Sequence, residues 1–170
     1  GSRLIYDKGF DILLESLYIL KVSGHENFHL DLIGSGVERL TLERFISDKN
    51  LTSQVTIHPW MEFDDFLRLI SESFVFIHPA RFDAFGGSIF GLACGVPVIG
   101  SLGAGAVKER IIDGMNGLVY ADNEPRTLAN LILKLNNDRT LYAKLRKGAR
   151  TSSKHWTPDV VSKKLIQKLY

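Results

Sequence analysis

Apolar positions along the chain alternate between helical and strand spacing, and the alternation predicts the elements. Over 11–22, Ile12, Leu13, Ser16, Leu17 and Leu20 recur at helical spacing, and 28–33 is a strand with partial alternation that stops at Gly34-Ser35-Gly36. A helix over 37–49 carries Leu40, Leu42, Phe45 and Ile46, and a short strand at 55–57 ends at His58-Pro59. Residues 62–71 place Phe63, Phe66, Leu67 and Ile70 on one helical face. The apolar run Phe74, Val75, Phe76 and Ile77 reads as a strand and stops at His78-Pro79. A loop over 80–84 leads to Phe85-Gly86-Gly87, an apolar helix runs to Cys94-Gly95, and Val96-Pro97-Val98-Ile99 starts the next strand. A helix over 104–112 and a turn flanked by Gly114 and Gly117 lead into a strand at 118–120. Helices over 125–135, with Pro125 in its first turn, 140–149 and 158–170 complete the pattern.

Short strands alternating with helices predict an α/β domain with a parallel sheet covered on both faces. Ligands in such folds bind beyond the carboxyl ends of the strands. The candidate site segments are therefore Gly34-Ser35-Gly36, His58-Pro59-Trp60-Met61, residues 78–87 and residues 100–105. The glycine pair Gly86-Gly87 at the mouth of a helix offers bare backbone and unpaired N–H groups, which suit an anion. The same pair also suits tight helix–sheet packing, and the segment alone does not choose between the two. GxGxxG and GxxxxGK[ST] are both absent, which argues against a dinucleotide fingerprint and a P-loop. Neither CxxC nor HExxH occurs, and the five histidines lie on separate elements, so no metal is expected. His58 and His78 read as structural histidines.

Length and composition narrow the class. A chain of 170 residues with 45% apolar content suits one domain with a sizeable core, and no apolar run is long enough to span a membrane. The opening Gly1-Ser2 resembles an expression remnant, so the natural N-terminus is expected to lie outside this chain. Cys94 is the single cysteine, which fits a reducing, cytoplasmic setting. Charge is uneven. Residues 134–170 hold ten Lys or Arg against Asp138 and Asp159, a balance of +8 that leaves −6 elsewhere for the net +2. That region reads either as a solvated helical face or as a surface drawn to anionic lipid or an acidic partner. Aromatic residues are not interleaved with the basic ones, which argues against nucleic acid.

The motifs, taken in order, resemble a known family. Arg3-Leu4 and Lys8-Gly9 match its GRL…KG opening, and Leu32-Ile33-Gly34-Ser35-Gly36 matches its strand ending in GxG. Ile77-His78-Pro79-Ala80, Phe85-Gly86 and the run Ala93-Cys94-Gly95-Val96-Pro97-Val98-Ile99 follow in order, and Glu109, Gly114 and Gly117 keep the spacing E-x4-G-x-x-G. Nearly the whole chain thus resembles the C-terminal, donor-binding domain of GT-B-fold retaining glycosyltransferases, the "group 1" or family 4 enzymes.

The resemblance implies a single Rossmann-like domain over 1–170, the C-terminal half of a GT-B fold. The N-terminal acceptor domain, and all or part of this domain's first strand, would precede Arg3. It implies no cofactor, with a nucleoside-diphosphate sugar as substrate. It also implies a glycan or lipid-linked acceptor held by the other domain, a hexosyltransferase activity and a place in cell-surface polysaccharide synthesis. The isolated domain is expected to be inactive. The protein would be cytoplasmic, with peripheral membrane contact through the basic 134–170 region. Arg3 and Lys8 would contact the diphosphate, backbone amides at Phe85, Gly86 and Gly87 would face the donor together with Gly34, and Gly103 and Gly105 would add N–H groups, although Ala106 replaces a family glycine. Trp60 would cover the base, an ordinary exposed aromatic being the alternative.

Two departures stand out. Asp83 replaces the first glutamate of the family's E-x-FG-x4-E, where the carboxylate bonds donor sugar hydroxyls, and it is the catalytic candidate. The second glutamate falls at Gly91 by the same count, with Ser88 one turn earlier as a partial substitute. Gly91 supports the competing expectation, a degenerate GT-B domain serving as an interaction module.

Overall fold

A computed structural model describes residues 2–156. The helix expected over 158–170 lies outside the described residues, with Lys163, Lys164 and Lys168 of the basic region. After a short 3-10 turn at Tyr6–Lys8, the order is α1 (Phe10–Val22), β1 (Leu30–Ile33), α2 (Arg39–Asp48), β2 (Val55–His58), α3 (Phe63–Glu72) and β3 (Phe76–His78). It continues with α4 (Ser88–Ala93), β4 (Val98–Ser101), α5 (Gly105–Arg110), β5 (Gly117–Tyr120), α6 (Pro125–Asn137) and α7 (Arg139–Ser153). Every described element predicted from the sequence is present. Three strands begin later than the sequence predicts, β1 at Leu30, β3 at Phe76 and β4 at Val98. Phe74 is 42% exposed and stacks on Tyr142 of α7 at 4.4 Å, so it packs outside the ladder that starts at Phe76. Pro97 offers only its carbonyl, to the Phe76 N–H, and β4 starts one residue on.

All strand pairs are parallel, as the alternation predicts, but they form two ladders. β1 pairs with β2, and β3, β4 and β5 pair in that order. Among the described residues no ladder joins β1 to β3. Alternation along the strands shows that both faces are covered. Ile77, Ile99, Leu118 and Tyr120 join the core built by α1, α2 and α6, which also takes Leu32 and Val55 from the smaller sheet. Phe76, Val98 and Val119 point the other way and meet Leu92 of α4, Val107 of α5 and Ala149 of α7. The larger core therefore binds the two sheets together from one side. The first residues tie them at the carboxyl ends. The Ser2 N–H donates to Ile33 O at 2.9 Å and the Leu4 N–H to Ser35 O at 2.8 Å, while the Phe82 N–H, beyond β3, donates to Asp7 O at 3.1 Å.

Candidate functional site

The loops beyond β1, β2 and β3 and the segment 2–9 converge at the carboxyl ends of the strands. Gly34 has φ +142°, and a Cβ there would stand 1.9 Å from Ser2 O. A Cβ on Gly36 would stand 2.2 Å from Leu4 O. The GxG at the end of β1 is thus a track for the first residues of the chain. That track delivers Arg3 and Lys8. Arg3 is exposed and its side chain has no partner among the described residues. Lys8, carried by the 3-10 turn, reaches across to the β3–α4 loop.

There Lys8 Nζ lies 2.7 Å from Asp83 Oδ2, with only 13% and 15% of the two side chains exposed. The same oxygen takes His78 Nε2 at 3.3 Å, and His78 Nδ1 lies 2.5 Å from Ser88 Oγ. Burial raises the Asp83 carboxyl, but the hydrogen bond and charge of Lys8, with His78, outweigh it and hold the carboxyl below its ordinary value. Burial drives the imidazole the other way, below its ordinary value and against the pull of Asp83, so His78 is neutral at pH 7. In the neutral ring Nε2–H donates to Asp83 and Nδ1 accepts from the Ser88 hydroxyl. His78 was expected to be merely structural, yet it touches the one acidic site candidate. Ser88 is fully buried and committed to His78, so it does not stand in for a carboxylate facing a ligand.

The backbone that follows is seated on this network. Gly86 has φ +84°, and a Cβ there would be 2.1 Å from His78 Cε1 and 2.8 Å from Asp83 Oδ2. The amides of Phe85, Gly86 and Gly87 donate to no group among the described residues. Those of Gly103 and Gly105 are used internally. Gly103 N–H donates to Ser101 Oγ at 3.0 Å and Gly105 N–H to Asp83 O at 2.9 Å, so neither adds a donor for a ligand, contrary to expectation. Trp60 is 59% exposed and its Nε1–H donates to Ser35 Oγ at 3.1 Å, which sets the indole beside the β1 loop. His58 is engaged by Asp31 at 2.7 Å. Among the described residues no group of acidic, histidine and cysteine side chains is arranged to hold a metal.

Position 91 packs against the sheet. A Cβ on Gly91 would lie 2.9 Å from both Phe76 Cβ and Val98 Cγ2, on the face of α4 pressed against β3 and β4. Counting from Asp83 places the expected carboxylate there, but the position points into the sheet and not toward the loops. Arg81 has no signal in the sequence, because its partners lie 70 or more residues away. Its guanidinium holds both oxygens of Asp11 at 2.6 Å, donates to Tyr6 O at 3.0 Å and lies 4.0 Å from the Tyr6 ring centroid. It pins the turn that carries Lys8 to the loop that carries Asp83.

Comparison with known proteins places this geometry in a family. The family description "Glycosyl transferases group 1" matches residues 2–152. The chain belongs to the group 1 glycosyl transferases. Within the group it is 30% identical over 157 residues to an uncharacterized glycosyltransferase of Methanocaldococcus jannaschii, covering 92% of this chain and 42% of that protein. It is 26% identical over 164 residues to a D-inositol 3-phosphate glycosyltransferase of Xylanimonas cellulosilytica, covering 94% of this chain and 38% of that one. The chain thus spans less than half the length of these relatives. Its fold is that of GT-B C-terminal domains. It superposes on HepE of Anabaena, solved with UDP, with TM-score 0.86, 23% identity and coverage of 99% and 46% of the two chains. The C-terminal domain of the group 1 protein LpcC from Francisella tularensis matches with TM-score 0.80, 18% identity and coverage of 91% and 82%.

Proposed function

We propose that this chain is the donor-binding domain of a retaining glycosyltransferase that takes its sugar from a nucleoside diphosphate. One observation carries the reading: the Lys8–Asp83 pair lies beside the three unpartnered amides of Phe85, Gly86 and Gly87. When the glycosidic bond to the diphosphate breaks, negative charge grows on the leaving phosphate. Preorganised N–H groups and a fixed ammonium stabilise such charge where it develops. Lys8 and Arg3 supply the cations, the amides supply the dipoles, and Asp83 offers its second oxygen to sugar hydroxyls. Trp60, beside the β1 loop, suits the flat face of a base. Retention by front-face attack, assisted by the leaving phosphate, needs no nucleophile on this domain. HepE was solved with UDP and, separately, with UDP-glucose, which supports a nucleotide-sugar reading without naming the sugar used here.

The acceptor site belongs, in this reading, to an N-terminal domain, and the acceptor is a glycan or lipid-linked glycan in cell-surface polysaccharide synthesis. The domain alone binds donor and transfers no sugar. The unladdered edges of β1 and β3 fit a strand entering ahead of Ser2. No described helix is long and apolar enough to cross a membrane. Arg146, Lys147 and Arg150 of α7, with Lys154 just beyond it, line an open surface depression of about 300 Å³, which suits contact of a cytoplasmic enzyme with an anionic bilayer surface. The competing reading, a degenerate GT-B domain serving as an interaction module, rests on Gly91, where the family's second carboxylate is absent, with the basic C-terminal region as its surface.

Calorimetric titration of this chain with UDP, GDP and ADP and their common sugar conjugates tests the proposal. Saturable binding that prefers one base and weakens in Arg3→Ala or Lys8→Met is expected. A folded chain that binds none of them overturns it.

A further inference from the structure

We propose that His78 is a positioning residue, the seat on which both the carboxylate of Asp83 and the amide-bearing backbone of Phe85–Gly87 are held. The inference rests on the donor-site reading above and assigns to it a residue that touches no ligand.

Three contacts converge on one buried ring. Nε2 meets Asp83 Oδ2 at 3.3 Å, Nδ1 meets Ser88 Oγ at 2.5 Å, and the backbone of Gly86 lies over the edge between Cε1 and Nε2. The ring itself is fixed from below. His78 is the last residue of β3, paired in register with Gly100 of β4, and is 8% exposed. Each contact has a distinct consequence. The bond to Asp83, with that of Lys8, occupies Oδ2 and leaves Oδ1 for a ligand. The acceptor-only carboxylate of Asp83 fixes the tautomer by requiring the proton on Nε2, and the Ser88 hydroxyl donates to the Nδ1 that this leaves as an acceptor. Ser88 is also the first residue of α4, so the same bond ties the start of that helix to the strand. An apolar side chain at 78 would fill the space but leave Asp83 and Ser88 short of a partner. Gly86 follows from the same packing, since any side chain there would overlap the imidazole.

The isosteres separate this role from simple space filling. The amide nitrogen of glutamine reaches the position of Nε2, that of asparagine the position of Nδ1. His78→Gln therefore keeps the donor to Asp83, while His78→Asn addresses only Ser88. Each variant of the present chain is titrated with UDP, GDP and ADP, its melting temperature is recorded, and the amide resonances of Phe85, Gly86 and Gly87 are followed by NMR. For the nucleotide that binds the parent chain, His78→Gln is expected within about threefold of the parent, and His78→Asn and His78→Phe at least about tenfold weaker. Ser88→Ala is expected to fall between. The Gly86 and Gly87 resonances are expected to hold their positions in His78→Gln and to move or broaden in His78→Asn. Parent-like affinity and parent-like Gly86 and Gly87 resonances in a folded His78→Asn or His78→Phe would overturn the proposal. If the parent binds no nucleotide, the donor reading fails by itself, and the Gly86 and Gly87 resonances of the Gln and Asn variants still decide whether His78 seats the loop.

Discussion

Replacing Gly91 with alanine sets two known effects against each other. In an open helix, Gly→Ala stabilises by about 1 kcal/mol, because glycine loses more backbone freedom. At 91 the added methyl arrives 2.9 Å from Phe76 Cβ and 2.9 Å from Val98 Cγ2, with Phe76 Cγ at 3.2 Å. Comfortable carbon–carbon separations are about 3.5–4.0 Å, so two strands must give way by roughly half an ångström at once. Overpacking of this kind costs about 1–3 kcal/mol. The difference is a net loss of about 1 kcal/mol, which in a domain of this size lowers the melting temperature by about 2–4 °C. Thermal and urea unfolding of the parent chain and Gly91→Ala measure it directly. A melting temperature above that of the parent would refute the packing argument and return position 91 to an open helix face. Gly91→Glu completes the test. A carboxylate driven between Phe76 and Val98 is unpaired and expected to unfold the chain or cost several kcal/mol. Tighter nucleotide binding by a folded Gly91→Glu would show that this position does look toward a ligand.

Other substitutions probe the supports of the site. Gly34→Ala combines a left-handed backbone with a clash on Ser2 O; the expected loss is about 2 kcal/mol or more, and hydrogen exchange at the Ser2 and Leu4 amides should quicken, whereas unchanged exchange would mean that the track is dispensable. Arg81→Ala breaks a bidentate pair whose Asp11 side is 49% exposed, so stability should fall by only about 1 kcal/mol while affinity for the nucleotide that binds falls more steeply, and equal affinity in calorimetry would remove Arg81 from the positioning of Lys8. Acid should destabilise the fold in two stages. Below the ordinary histidine value of 6.5 the unfolded chain takes up a proton that buried His78 declines. Below 3.8 the unfolded Asp83 takes one that the carboxylate beside Lys8 declines. In both windows the unfolded state binds more protons, so stability rises with pH, and urea titrations across pH 3–7 (roughly) should show the upper stage shrink in His78→Phe.

Much of the fold was legible because periodicity reports burial. The helices at 11–22, 62–71 and 125–135 each carry an apolar stripe, and all the short strands but the one at 118–120 stop at or next to glycine or proline, so element type and order follow from local pattern alone. Strand starts were less legible, because Phe74 is as apolar as Phe76 but spends its ring on a stack with Tyr142 of α7, a partner distant in sequence. At the site, Lys8 and Asp83 were both singled out and do meet, but their union was invisible, since it depends on a turn crossing from one sheet to the other. The glycines misled for one reason. At 34, 36, 103 and 105 bare backbone is required by a neighbouring chain segment, and composition does not distinguish that need from a ligand's. Histidine at 78 looked inert because its role lies entirely in three contacts made after folding.

Among the described residues no ladder joins β1 to β3, so the two halves of the site stand on separate ladders. The β1 loop, with Trp60 beside it, stands on one sheet, and the amides of Phe85–Gly87 stand on the other. Among the described residues the two sheets are tied by the shared helical core and by residues 2–9, which cross between them. A ligand that touched both the β1 loop and the amides of Phe85–Gly87 would brace the two ladders against each other. Conversely, whatever loosens that crossing segment, at Gly34 or at Arg81, changes the span that any such ligand must bridge.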